Sequence, residues 1–315
     1  MKPRTTVLQI GALSPALEAR LCAQYVVLQA QPTDAATPLA DGAAAARVQA
    51  VVTSAAVGMP PAWLAQLPAV QVLSSFGVGL ERLPLPAARA RGLPVGYTPD
   101  VLNDCVADLA MGLLLDGARR ISAGDRFVRR GDWAQGRFAL SARVSGKRLG
   151  LVGLGRIGQA VARRAQGFDL HIAYHQRHVA PGVGWRYEPS LLALAEWADF
   201  LVLAVSGGAP TRHLLGAPEL RALGPQGLLV NVARGSVVDE AALVQCLQCG
   251  ALGAAALDVF EDEPRIPDAL CAMEQVVLSP HMGSGTAETR QAMTDLVLAN
   301  LHAGLAGKPL PAAAP

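Results

Sequence analysis

What this chain lacks narrows its roles before any motif is considered. It has no run approaching the roughly 18 uninterrupted apolar residues that a membrane-spanning helix requires, so no membrane partner is expected. It has little net charge: 27 Lys and Arg against 25 Asp and Glu leave a formal +2. A dedicated nucleic-acid binder would carry a basic stripe. The densest basic stretch here, Arg119 to Arg130, is broken by Asp125 and Phe127 and reads as a solvated helix face. No nucleic-acid partner is expected. Charged residues make up only 17% and hydrophobic ones 51%, a balance that excludes a disordered chain and suits a well-buried soluble one.

Cysteine is scarce too. Cys22, Cys105, Cys246, Cys249 and Cys271 form an odd, scattered set, unlike a disulfide framework. Cys246 and Cys249 stand at a metal-like spacing, but without a second such pair or a histidine at zinc spacing. They fall late in a helix expected over 241–249, where they read as structural, and no metal is expected. Met1-Lys2-Pro3-Arg4-Thr5-Thr6 leads directly into a strand-like run with no apolar signal segment, so the expected compartment is the cytoplasm.

What is present is a regular alternation of strands and helices. A length of 315 residues is long for one core and comfortable for two domains. In the first hundred residues, strand candidates fall at 7–10, 25–28, 48–52, 70–73 and 94–97, bounded by Gly or Pro. Ser14-Pro15 opens a helix in the favoured order of cap and first turn, and 61–67 is a short helical stretch. The Ala/Pro/Thr-rich segment 31–46 reads as a loop with a helical turn. One long helix is expected from Asn103 to about Ile121, with Asn103 or Asp104 as cap. A second series then supplies six strand candidates at 149–153, 170–175, 200–205, 228–231, 254–257 and 276–278. A final helix runs from Thr286 to about Ala306. Both series imply parallel sheets covered on two faces.

Gly153-Leu154-Gly155-Arg156-Ile157-Gly158 lies between the strand ending at Val152 and a helix over 157–165. That context is what a dinucleotide fingerprint needs. Gly153 serves the tight turn, Gly155 the close approach of a pyrophosphate, and Gly158 the packing of helix on strand. An NAD enzyme places an acid about 20 residues on, bonding the ribose 2′-hydroxyl. This chain has His175-Gln176-Arg177-His178 there, and no acid. A cation would pair with a 2′-phosphate that a carboxylate would repel. NADP(H) is therefore the preferred cofactor, with NAD(H) possible; the bland alternative makes Arg177 an ordinary surface arginine.

Further motifs follow in order: Gly77-Val78-Gly79-Leu80-Glu81, Thr98-Pro99-Asp100-Val101-Leu102, Val106-Ala107-Asp108, Asn231-Val232-Ala233-Arg234-Gly235-Ser236, Leu257-Asp258-Val259-Phe260, Glu263-Pro264 and Ser279-Pro280-His281-Met282-Gly283. Through these and the glycine loop, the chain resembles the D-isomer-specific 2-hydroxyacid dehydrogenase family over nearly its whole length. Within it, the glyoxylate, hydroxypyruvate and hydroxyphenylpyruvate reductases are the nearest likeness. The resemblance implies an α/β protein of two doubly wound domains. Residues 1–102 and 282–315 would form a flavodoxin-like substrate domain, and 103–281 an inserted Rossmann dinucleotide-binding domain.

The same resemblance implies a catalytic set of Arg234, Glu263 and His281. Arg234 offers a planar fork for the substrate carboxylate and polarises the carbonyl beside it. His281, protonated, gives its proton to the developing alkoxide on reduction and takes it back on oxidation. Glu263 orients the imidazole and favours its charged form. Val78, Gly79 and Leu80 would receive the substrate carboxylate on backbone N–H groups, helped by Arg234. Cofactor contacts are implied at Val101, Leu154, Arg156, Ile157, Val205, Ser206, Thr211, Val232, Ala233, Asp258, His281 and Gly283, beside the three glycines and His175, Gln176 and Arg177. Asp258 is the family's partner for the nicotinamide carboxamide. Ser206 replaces a Pro common in relatives, and Tyr97 an Asn.

The expected activity is NADPH-dependent reduction of a small 2-oxo acid (glyoxylate, hydroxypyruvate or an arylpyruvate) to the D-2-hydroxy acid. The alternatives are NAD-linked oxidation of a D-2-hydroxy acid or of phosphite, and a dinucleotide-sensing binding protein like the family's corepressors. A homodimer is expected, because helix 103–121 is apolar over more than one face and family members dimerise around it.

Overall fold

The computed structural model describes residues 4–31 and 37–315. The first three residues, and 32–36 within the expected loop at 31–46, lie outside these. The chain divides into two compact units, Met1–Leu102 with Thr286–Pro315, and Asn103–Gly285.

The first unit opens as β1 (Thr6–Ile10), α1 (Pro15–Gln24), β2 (Val26–Ala30), α2 (Gly42–Ala45), β3 (Val48–Ser54), α3 (Pro61–Leu64), β4 (Val72–Phe76), α4 (Leu85–Ala90) and β5 (Val95–Gly96). Ser14 caps α1 by accepting the Leu17 N–H, and Pro15 begins the helix. All strand pairs are parallel, in the order β2-β1-β3-β4-β5. That is the flavodoxin-like order. One face buries Leu8, Ile10, Val51 and Leu73 against Trp63, Leu64 and Met59.

The second unit contains α5 (Asn103–Arg119), α6 (Ile121–Arg129), β6 (Arg148–Val152), α7 (Arg156–Ala165), β7 (His171–His175), β8 (Arg186–Tyr187), α8 (Leu191–Trp197), β9 (Phe200–Leu203), α9 (Ala217–Leu223), β10 (Leu228–Asn231), α10 (Glu240–Gln248), β11 (Ala254–Leu257), α11 (Asp268–Ala272) and β12 (Val276–Leu278). Its sheet is parallel throughout, ordered β12-β11-β10-β9-β6-β7-β8. Starting from β6, this is the doubly wound order of dinucleotide-binding domains. Asp199 holds the opening of β6: its carboxylate accepts the Arg148 N–H at 2.9 Å and the Arg148 guanidinium at 3.1 and 3.2 Å. Burial alone would raise the Asp199 carboxyl, but the Arg148 bonds and the Arg148 and Lys147 charges hold it below the usual range.

The chain returns to the first unit as α12 (Ala287–Leu305), capped by Thr286. It lies on β4: the Ser74 hydroxyl donates to the Val297 carbonyl at 3.2 Å, and a Cβ on Gly304 would sit 2.5 Å from Val72. Buried Asn300 donates to the Tyr97 carbonyl and accepts the Ala312 N–H, fastening the C-terminal tail.

Three expectations need correction. The sheet of the second unit has seven strands rather than six, because two residues, Arg186 and Tyr187, pair with Ala173 and Tyr174 at its edge. The helix from Asn103 stops at Arg119, since Arg120 adopts φ +55° and starts a separate helix at Ile121. The turn is held by Asp116, whose carboxylate accepts the Ser122 N–H and hydroxyl. The return crossing falls at 285/286 rather than 281/282, as the Met282 and Gly283 N–H groups are tied to Asp258 within the second unit.

Candidate active site

The dinucleotide edge is built at the carboxyl end of β6. Gly153 sits at φ +93°, and a Cβ there would lie 2.8 Å from the Ala204 carbonyl oxygen. A Cβ on Gly158 would come within 2.1 Å of the Gly153 carbonyl oxygen, so helix α7 can approach the strand only with glycine there. Gly155 differs: it is exposed, and a Cβ would meet nothing within 4 Å. Its glycine therefore keeps open a space in front of the first turn of α7, where N–H groups lack helical partners and the dipole favours an anion. The residues present fit a bound pyrophosphate.

At the end of β7, His175 Nδ1 is 3.0 Å from the Glu188 carbonyl oxygen, so it must carry a proton. The Gln176 side chain accepts the Leu154 N–H at 3.1 Å and donates to the His178 carbonyl at 2.7 Å, linking the glycine loop to β7. Arg177 is exposed. Leu154, Val232 and Ala233 are buried. The Leu154 N–H serves Gln176.

Arg234, Glu263 and His281 all follow strands of the second unit, at the carboxyl edge where ligands bind in such sheets. Asn231 shapes the Arg234 turn, donating to the Arg234 carbonyl and accepting the Ala233 N–H, both at 3.0 Å. Next to it, Gly235 lies so close to the Phe260 and Glu261 backbone that a Cβ would meet atoms at 1.9–2.3 Å. The Arg234 turn and the Glu263 loop are thereby pressed together. Phe260 N–H donates to Glu263 Oε1 at 3.0 Å, and Glu263 Oε2 lies 2.7 Å from His281 Nδ1. Burial would raise the Glu263 carboxyl, but the His281 and Phe260 hydrogen bonds and the charges of His281 and Arg234 outweigh it. Glu263 is held below its usual value. Since Nδ1 of His281 is occupied, Nε2 is the nitrogen left to move a proton.

Asp258 has a role that the sequence did not disclose. It is 2% exposed, and its carboxylate accepts the Ser279 hydroxyl at 2.6 Å and the Met282 and Gly283 N–H groups at 2.8 Å. The His281 N–H also donates to the Asp258 carbonyl at 2.9 Å. These bonds hold His281 at φ +50°, a conformation uncommon outside glycine. Asp258 thus fixes the histidine loop from below, with one lone-pair site of its carboxylate still unspent. A signal lay in the sequence: an Asp closing an apolar strand, 21 residues before a Ser-Pro-His turn, has to find donors.

Val78, Gly79, Leu80 and Val101 belong to the first unit. Gly77 stands at φ +135°, with its N–H donated to Thr98 Oγ1 and its carbonyl accepting the Thr98 N–H, both at 3.0 Å. A Cβ on Gly77 would sit 2.6 Å from that of Ala55. Arg290 on α12 lies over the Phe76 ring, 5.4 Å from its centroid, at the same sheet edge. At the distant end of the second unit, Cys246 is buried and Cys249 exposed, the latter donating weakly to the Cys246 carbonyl at 3.7 Å. Among the described residues, no group of three His, Cys, Asp or Glu side chains could hold a metal ion.

A parallel dinucleotide sheet with a Glu–His pair and an Arg at its carboxyl edge defines a nicotinamide-dependent oxidoreductase. Residues 111–283 match the family model described as "D-isomer specific 2-hydroxyacid dehydrogenase, NAD binding domain", and the chain belongs to that family. It is 47% identical over 263 residues to the glyoxylate/hydroxypyruvate reductase A of Arabidopsis thaliana, covering 84% of each chain. It is 48% identical over 263 residues to the hydroxyphenylpyruvate reductase of Plectranthus scutellarioides, again with 84% of each covered. Among solved structures, it is similar to an NADPH-dependent glyoxylate/hydroxypyruvate reductase from Sinorhizobium meliloti in complex with NADP and malonate. The TM-score is 0.90 at 39% identity, covering 99% of this chain and 97% of that one.

Proposed function

We propose that the protein reduces a small 2-oxo acid to the D-2-hydroxy acid with NADPH. The observation that carries this is the Glu263–His281 bond at 2.7 Å beside the Arg234 turn. Bound nicotinamide supplies the hydride. Arg234 takes the carboxylate and polarises the carbonyl, and His281 Nε2–H gives its proton to the oxygen as negative charge develops there. Glu263, held ionised, orients the ring through Nδ1 and stabilises the imidazolium. In the first unit, the N–H groups of Val78 and Gly79 are read as carboxylate donors, with Leu80 lining the substrate. Cofactor contacts are assigned to the glycine loop with Leu154, Arg156 and Ile157, to Val101, Val205, Ser206, Thr211, Val232 and Ala233, and to Asp258, His281 and Gly283. His175, Gln176 and Arg177 face the adenosine ribose, where exposed Arg177 meets the 2′-phosphate. Relatives named for glyoxylate, hydroxypyruvate and hydroxyphenylpyruvate support the substrate class. The five cysteines are free, in keeping with a cytoplasmic enzyme.

The test is a panel of 2-oxo acids, each with NADPH and with NADH. The expected result is a D-2-hydroxy acid product and a preference for NADPH of at least about tenfold, roughly 1.4 kcal/mol. Arg177→Ala should raise the NADPH KM far more than the NADH KM. Equal kinetics with both cofactors in the wild type would contradict the cofactor assignment, and no turnover with any acid would contradict the activity.

A further inference from the structure

The loop after β9 holds three of the positions assigned to the dinucleotide, Val205, Ser206 and Thr211. Its shape is set from within: the Thr211 hydroxyl donates to the Ser206 carbonyl at 2.8 Å, and Gly208 turns at φ +120°. Its far end is fastened to the strip that follows Arg234. His213 N–H donates to the Ser236 carbonyl at 2.8 Å and Leu215 N–H to the Val237 carbonyl at 3.0 Å, while Asp239 N–H returns to Leu215 at 2.9 Å.

Side chains add a second fastening. His213 Nε2 lies 2.9 Å from Glu261 Oε1, and the Arg212 guanidinium 2.8 Å from the same oxygen. A carboxylate only accepts, so His213 carries a proton on Nε2. Glu261 is itself held, its N–H donating to Glu240 Oε2 at 3.2 Å and its backbone closed against Gly235. The preceding residue, Phe260, supplies the N–H that sets Glu263. The Glu261 carboxylate therefore joins the end of the cofactor loop to the Glu263 loop, while the Glu261 backbone lies against the Arg234 strip. An exposed ion pair adds little to stability, but misplacing a reacting group by about 1 Å can cost about 10²-fold in rate.

We propose that His213 and Glu261 are a pair of positioning residues that couple the dinucleotide loop to the acid–base loop. Through them, the cofactor held along Val205–Thr211 and the Glu263–His281 pair are aligned together. This rests on the reductase reading of the site.

The experiment compares wild type with His213→Ala, Glu261→Gln, the double variant and His213→Gln, all full length. NADPH dissociation is read by nicotinamide fluorescence without substrate, and kcat and the oxo-acid KM with glyoxylate. Each of His213→Ala and Glu261→Gln should weaken NADPH binding about threefold to tenfold and lower kcat about tenfold, with the oxo-acid KM little changed. The double variant should be no worse than either single one, as residues acting through one contact are not additive. His213→Gln should recover most of both losses, because its amide N–H can still donate. Effects that multiply in the double variant, or binding and kcat both unmoved in the single ones, would overturn the proposal. If His213→Ala does not fold, Glu261→Gln against His213→Gln carries the same comparison. The fluorescence arm needs no oxo acid, so the coupling is read even with a wild type that reduces none, a result that would count against the reductase reading instead.

Discussion

In the proposed reduction, His281 Nδ1 is held by Glu263 Oε2 at 2.7 Å, which leaves Nε2 to move the proton. The pH behaviour follows from the carboxylate. Glu263 is held below its usual value, so it stays charged through the ordinary carboxylate range near pH 4.3 and above. Whatever stability its partners contribute is present above the unfolded value and lost only as pH falls through the lower folded one. Glu263→Gln keeps the shape and removes the charge that faces His281 Nδ1. In the proposed reduction, kcat should then fall by about tenfold or more, toward the range for losing a general acid, measured with glyoxylate at saturating NADPH. An unchanged kcat would show that Glu263 does not act on His281.

Among the elements, the glycine loop between β6 and α7 makes the sharpest separation between folding and binding. A Cβ on Gly158 meets the Gly153 carbonyl at 2.1 Å, whereas one on Gly155 meets nothing within 4 Å. Gly158→Ala should therefore lower stability by about 1–3 kcal/mol, the usual range for overpacking, and weaken NADPH binding as well. Gly155→Ala should leave the melting temperature nearly unchanged and weaken NADPH binding at least about tenfold by filling the phosphate's space. Thermal melts and fluorescence titration of both variants check this, and equal melting losses would contradict it. These glycines were legible because strand, spacing and helix agreed. The break at Arg120 was not, since Arg119-Arg120-Ile121 carries no helix-stopping residue and the turn is made by Asp116 reaching forward to Ser122. Strand β8 was missed because two residues give no periodicity to read. In the site, motif residues could be placed from the sequence. The Glu261–His213 bond could not, since it joins positions 48 apart that only the fold brings together.

Across the whole molecule, the large exposed apolar side chains lie outside helix α5 rather than on it. Helix α5 buries Val106, Ala110, Leu113 and Leu114 within its own unit. Four of the eight large apolar side chains exposed among the described residues follow it in the chain: Ile121 is 58% exposed, Val128 53%, Trp133 69% and Leu140 98%. We propose that this stretch lies against a second copy of the chain. Light scattering at micromolar concentration should give twice the 32.7 kDa chain mass, and Leu140→Glu with Val128→Glu should shift it toward the monomer. A wild-type monomer would contradict this. In the proposed reaction, His281, held by Glu263, protonates the 2-oxo acid during its reduction. The most direct measurement is NADPH consumption with glyoxylate at saturating cofactor by wild type and by His281→Ala. Turnover by the wild type is expected, with a kcat lower by about 10²–10⁴-fold in the variant and NADPH binding largely retained. Equal turnover in the two proteins would contradict it.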